Sequence, residues 1–208
     1  MNPRSSAGLL AACLCLSACG GGGTAEGDAA TFAMPTEKVT PTPDAASRGR
    51  SSVAFALRGD GLTIADQGPG PREAIPLRFG DSEATVIAAV SNALGQPRTG
   101  TDQECGTGPV TAADFGTIQI NLRDERFVGY VATMAEGTAF SGAGGSDLSA
   151  ADLAQLRARA GAQRVDSTLE HEIAFRAADG GRLGGFVESD ADAAPLLSVF
   201  AGVTCFYR

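Results

Sequence analysis

From residue 53 onward the chain is written in short apolar alternations broken by Asp-Gly and Gly-Gly pairs, a pattern that restricts it to a fold rich in hairpins. Val53, Phe55 and Leu57 alternate with small or polar residues, Asp60-Gly61 supplies a turn, and Leu62 and Ile64 continue the alternation. Successive strand side chains point to opposite faces, so each run can bury only one of them. Ile75, Leu77 and Phe79 make a further short strand ending at Gly80. Ile118, Ile120 and Leu122, the Asp124-Glu125 turn, and Phe127, Val128, Tyr130 and Val131 spell a second hairpin. Leu169, His171, Ile173 and Phe175 form a third with Leu183 to Val187 across the Asp179-Gly180-Gly181 turn, and Leu197 to Tyr207 supplies a last strand. The Gly- and Thr-rich stretch carrying Cys105 has no clear period and is expected to be a loop.

Two helices interrupt the strands. Val86, Ile87, Val90 and Leu94 fall at helical spacing behind a cap at Asp81, and Gly95 and Pro97 stop the pattern. Ser149, with Asp152 three residues on, resembles a capping box, and Leu153, Leu156 and Ala160 share one face before Gly161. The fold class expected is therefore α+β: antiparallel hairpins with two short helices. A shift of 66 residues pairs Asp81 with Asp147, Ile87 with Leu153, Val90 with Leu156 and Gly95 with Gly161, which suggests two tandem strand, helix and hairpin repeats.

The region before residue 53 has a different character. Arg4 precedes an apolar run from Ala7 to Leu16 that is shorter than the ~20 residues a transmembrane helix needs, so residues 1–18 are expected to be a cleaved export signal. Leu16-Ser17-Ala18-Cys19 resembles the lipobox of bacterial lipoproteins, and that resemblance implies lipidation of Cys19 as the mature N-terminus. Membrane attachment would then run through the acyl chains on Cys19, each buried methylene contributing ~0.8 kcal/mol. Gly20 rather than Asp follows the cysteine, which by resemblance to the enteric sorting pattern points to the outer membrane. Residues 19–52, with Gly20 to Gly23, Pro35, Pro41 and Pro43, are expected to form a tether reaching roughly 30 Å, leaving residues 53–208 as one globular domain.

Cysteine usage agrees with export. Cys13 and Cys15 would leave with the signal and Cys19 would be acylated, so Cys105 and Cys205 remain as an even pair in an oxidising compartment and are expected to form a disulfide. Charge argues against nucleic acid as a partner. The net charge is −8 with 16 Lys plus Arg against 24 Asp plus Glu, Lys38 is the sole lysine, and no cationic stripe exists to displace counterions from phosphates.

Three resemblances bear on family. Ile75 to Ser82, the helix, and Leu94-Gly95-Gln96-Pro97 look like a module of outer-membrane assembly lipoproteins and β-lactamase-inhibitor-like proteins, whose helix-plus-sheet repeats bind other proteins. A broader likeness is to uncharacterised envelope lipoproteins that share Phe79-Gly80, Gly95-Gln96-Pro97, Glu104-Cys-Gly-Thr-Gly-Pro109, Arg126 to Gly129 and a terminal Cys205 to Arg208. Together with the lipobox these imply an envelope protein and no particular chemistry.

No catalytic constellation is evident in the sequence. His171 is the single histidine, and the strand period sets it with Leu169, Ile173 and Phe175 while Glu170 and Glu172 face the other side, so it reads as a core or edge residue. One histidine leaves a zinc site without imidazole pairs, and no Gly-x-Ser-x-Gly elbow or strand-to-helix Gly-x-Gly-x-x-Gly is present. Gly142 to Ser146 lacks the lysine of a phosphate loop, Glu188, Asp190 and Asp192 lack the rest of a calcium loop, and Arg58-Gly59-Asp60 is accounted for by a turn. No cofactor or metal is expected. The function expected is a non-catalytic structural or protein-binding role in the envelope, with an exposed sheet face near Tyr130 as one possible surface; capture of a small ligand between sheet and helices is the alternative.

Overall fold

The computed structural model describes residues 53–66, 73–135, 138–142 and 145–206; the lipobox, the tether, the bend at 68–71, Tyr207 and Arg208 lie outside them. Two sheets and two helices share one core, as the α+β expectation requires. β1 (Val53–Arg58), β2 (Gly61–Asp66) and β3 (Ile75–Arg78) form an antiparallel meander, and β8 (Ala139–Ser141) joins it parallel to β1. The larger sheet runs β4 (Arg98–Asp102), β5 (Val110–Asp114), β6 (Ile118–Arg123), β7 (Arg126–Thr133), then β12 (Leu196–Gly202), β11 (Arg182–Val187), β10 (Glu172–Arg176) and β9 (Gln163–Arg164), all antiparallel. Helix α1 (Glu83–Leu94) lies against β7 and α2 (Leu153–Ala160) against β10. Among the described residues no helix is long and apolar enough to cross a membrane.

Core strands lie where period two is strongest. Phe55, Leu57, Leu62, Leu77, Ile118, Ile120, Phe127, Tyr130, Ile173, Leu183 and Val199 are all buried; Phe55 meets Phe140 on the neighbouring strand of its own sheet at 5.9 Å, and Phe79, just after β3, meets Phe127 of the larger sheet at 5.0 Å. The β6–β7 turn puts Asp124 and Glu125 at φ of 51° and 57°, the doubly positive geometry that matches strand twist in a two-residue hairpin.

Several expectations are corrected. The first hairpin turns at Gly59-Asp60, one residue earlier than expected, since Arg58 pairs with Gly61. Ser82, not Asp81, caps α1 by accepting the Thr85 amide, while Asp81 accepts the Arg78 amide in the preceding turn. Asp152 itself caps α2, and Ser149 instead donates to the Thr138 carbonyl. The expected loop around Cys105 lies between β4 and β5, two strands whose Thr-bearing sequence carries little apolar signal because the first four residues of β4 are exposed. The last strand ends at Gly202 rather than continuing to Tyr207.

Beyond Gly202 the chain forms a strap across the sheet. Gly202 turns at φ 73°, the Val203 amide donates to the Val128 carbonyl at 2.8 Å, and buried Asn121 donates to the Val203 carbonyl at 2.8 Å. Cys205 then bonds to Cys105 with their Cα atoms 5.0 Å apart, and the Phe206 ring packs on Phe186 and Phe200 at 5.3 and 4.9 Å. The disulfide expected from cysteine arithmetic is present, and it ties the chain end to the β4–β5 loop.

Candidate functional site

An open groove lies along α1. From Ala84 to Leu94 this helix carries no charged residue, although a surface helix ordinarily turns a charged face to water. Val86 and Val90 are buried, whereas Ala84, Ala88 and Asn92, spaced four apart, form an exposed stripe with half-buried Ile87 and Ser91 beside it. The tip of the β6–β7 hairpin makes the facing wall. It is clamped to the helix start by the Glu83 amide donating to the Glu125 carbonyl at 2.9 Å and by Arg126 Nη1 donating to the Gly80 carbonyl at 3.2 Å. Between the walls is an open groove of about 890 Å³, floored by alanine and Ile87 and rimmed by Glu83, Asp124 and Glu125. The Ser91 hydroxyl in its wall is buried without a hydrogen-bond partner among the described residues. Sequence reasoning missed this site, though eleven consecutive uncharged helical residues were a usable signal.

Residues singled out from the sequence occupy other places. Cys19 lies outside the described residues. Tyr130 faces the core, not an exposed sheet surface: its hydroxyl donates to the Arg58 carbonyl at 2.9 Å, joining the two sheets. Beside that bond two hairpin tips meet back to back, with the Gly59 amide donating to Asp179 Oδ2 at 3.2 Å and Arg58 Nη2 3.6 Å from the same carboxylate. Arg58-Gly59-Asp60 is thus a structural junction, its Asp60 held by Arg58 and Arg78 at 3.0 Å each. Burial raises the Asp60 pKa, but hydrogen bonds and charge from Arg58, Asp179 and Arg78 outweigh it and hold the carboxyl below the ordinary carboxylate range.

His171 is not in a strand. It sits at φ 57° just before β10, half-exposed, with Nδ1 3.1 Å from Asp190 Oδ1 and 3.2 Å from Arg164 Nη1. β10 begins at Glu172 rather than Leu169; Ile173 and Phe175 are buried as expected, and Glu172 at the strand's entry is buried as well, accepting a 2.6 Å hydrogen bond from Ser167. Asp190 and Asp192 pair with Arg164 and Arg157 respectively and do not converge with Glu188. Among the described residues no group of three or more His, Cys, Asp or Glu is placed to hold a metal. In the Gly142 to Ser146 run, residues 143 and 144 lie outside the described residues, and the Gly142 and Gly145 amides are engaged by the Ser146 and Gly142 carbonyls.

Tyr130 yields a pH prediction. Burial, with the nearby Asp179 and Asp60 charges, pushes its phenol well above the ordinary tyrosine range. A pKa raised by folding means stability intact below the unfolded value, about pH 10, and lost as pH rises beyond it. In an ultraviolet titration Tyr130, one of two tyrosines, is expected to ionise only as the fold is lost. Tyr130→Phe should cost about 1–2 kcal/mol at neutral pH by stranding the Arg58 carbonyl, and should flatten the alkaline fall in stability. Reversible ionisation of Tyr130 near pH 10 in the intact fold would contradict the buried bond.

No protein-family model, no curated protein and no solved structure matches this chain.

Proposed function

We propose that this chain is an envelope lipoprotein, anchored by acyl chains on Cys19, whose domain binds another envelope protein through the α1 groove. The observation that carries the reading is the uncharged, half-exposed face of α1, an apolar stripe of Ala84, Ala88 and Ile87 that the fold leaves in contact with water. Apolar area of that kind, rimmed by polar groups, characterises surfaces that meet a partner. The export signal, the lipobox resemblance and a disulfide that persists in an oxidising compartment support the location.

A duplicated architecture belongs to the same proposal. Each half runs strand, helix and four-stranded meander, β3-α1-β4 to β7 and then β8-α2-β9 to β12, and the final strands β7 and β12 pair at the centre of the large sheet. The resemblance to envelope modules whose helix-plus-sheet repeats bind proteins points the same way.

A photo-crosslinking residue at Asn92 of the full chain, expressed in a bacterial host, tests the site. The expected result is a discrete protein adduct that Ala88→Arg removes, with the chain in the membrane fraction unless Cys19 is replaced by alanine. An adduct indifferent to Ala88→Arg would remove the groove from the proposal. Copurification of a small molecule displaced by Ala88→Arg would favour the ligand-binding alternative, which the groove's volume could accommodate.

A further inference from the structure

One edge strand of the large sheet is symmetric about its central glycine, save that its two ends carry opposite charges. β4 is Arg98-Thr99-Gly100-Thr101-Asp102, the terminal strand of its sheet, and its first four residues are exposed. Edge strands with open backbone groups invite another strand and are ordinarily blunted. The other edges show such blunting: β9 has two residues and β8 three, and β3 carries Pro76, which has no amide to donate. β4 has no proline within it and no hydrogen-bonded strand on its far side among the described residues.

We propose that β4 is a self-association edge, where a second copy of this chain pairs antiparallel about a two-fold axis through Gly100. In that register Arg98 opposes the second copy's Asp102, Thr99 opposes its Thr101, and glycine opposes glycine at the axis. Opposite charges directly across an antiparallel pair stabilise it and like charges oppose it, so the strand's own order of charge selects this register over its neighbours. An isologous contact of this kind uses the same patch on both copies and stops at two. The existing fold prepares the strand: Arg98 is held by Asp114 at 2.8 Å on β5, Thr101 meets Thr111 at 3.2 Å, and Asp102 accepts the Glu104 amide at 2.8 Å. Three residues beyond β4, the Cys105 to Cys205 bond holds its end in place. Gly100 has open space where a side chain would stand, so nothing crowds the axis. The proposal is independent of the groove and of the lipid anchor.

Gly100→Cys in the full chain supplies the test, read in whichever cell fraction holds the protein. Directly opposed Cα atoms in an antiparallel pair lie about 4.5–5.5 Å apart, within the range that a disulfide spans. Mild oxidation is expected to link two chains through position 100, at a yield about tenfold above that of Arg159→Cys on exposed α2. In the Gly100→Cys background, Arg98→Asp alone and Asp102→Arg alone should each lose the link, because each then opposes like charges. Coexpressed, the two should regain it as a mixed dimer, which also shows that both fold. No link above the Arg159→Cys level, or a link indifferent to the charge changes, would overturn the proposal.

Discussion

Replacing Cys105 and Cys205 together with alanine is expected to lower the unfolding free energy by about 2–5 kcal/mol, the largest effect foreseen for any change outside the apolar core. The bond joins residues separated by 100 positions, so it closes most of the folded domain into one loop. On the chain-entropy account a loop of that length restricts the unfolded chain enough to contribute about 4.7 kcal/mol as an upper figure. The native side adds to this. Cys205 lies on the strap between Val203, which is hydrogen-bonded to β6 and β7, and Phe206, whose ring covers Phe186 and Phe200. Losing the bond therefore frees a segment that also seals one face of the sheet. Thermal melts of the variant and of the reduced parent should coincide, both roughly 10 °C below the oxidised parent for a domain of this size. An unchanged midpoint would show that strap contacts alone hold the chain end.

Which parts of the fold were legible in the sequence depended on whether a residue's burial followed from its neighbours along the chain. The hairpins built on Val53 to Ile64 and Ile118 to Val131 were legible because each alternation has one face in the core. The disulfide was legible for a different reason, since only two cysteines remain beyond the lipobox. β4 was not, because an exposed edge strand needs no apolar face and Arg-Thr-Gly-Thr-Asp has the composition of a loop. His171 and Glu172 were misread at the strand's entry: Ile173 and Phe175 keep the expected inward face, but β10 starts at Glu172, so His171 at φ 57° lies in the preceding turn, where the strand period does not reach. The groove depends on a contact between α1 and a hairpin tip some forty residues later, which no local pattern encodes. Its half on α1 was visible as missing charge, its half on Asp124 to Arg126 was not.

Gly129 carries the second large prediction, because here the strap crosses β7 with no room for a side chain. A Cβ at Gly129 would stand 2.2 Å from the Val203 carbonyl oxygen and 2.6 Å from its nitrogen, both main-chain atoms that cannot rotate aside. Gly129→Ala must therefore displace Val203, and with it the hydrogen bonds from Val203 to Val128 and from Asn121 to Val203. Asn121 is buried, so its stranded amide adds a desolvation cost to the overpacking, and the loss expected is about 3 kcal/mol by urea denaturation. Gly100→Ala, where nothing lies within 4 Å of the new atom, is the control and should change stability by less than about 1 kcal/mol. The two large effects act on one segment and so should not add. In the Cys105→Ala/Cys205→Ala background the strap is already loosened, and Gly129→Ala should cost at least about 1 kcal/mol less than in the oxidised parent. Full additivity would mean that the crossing at Gly129 is held independently of the disulfide, and that the strap is two separate attachments rather than one.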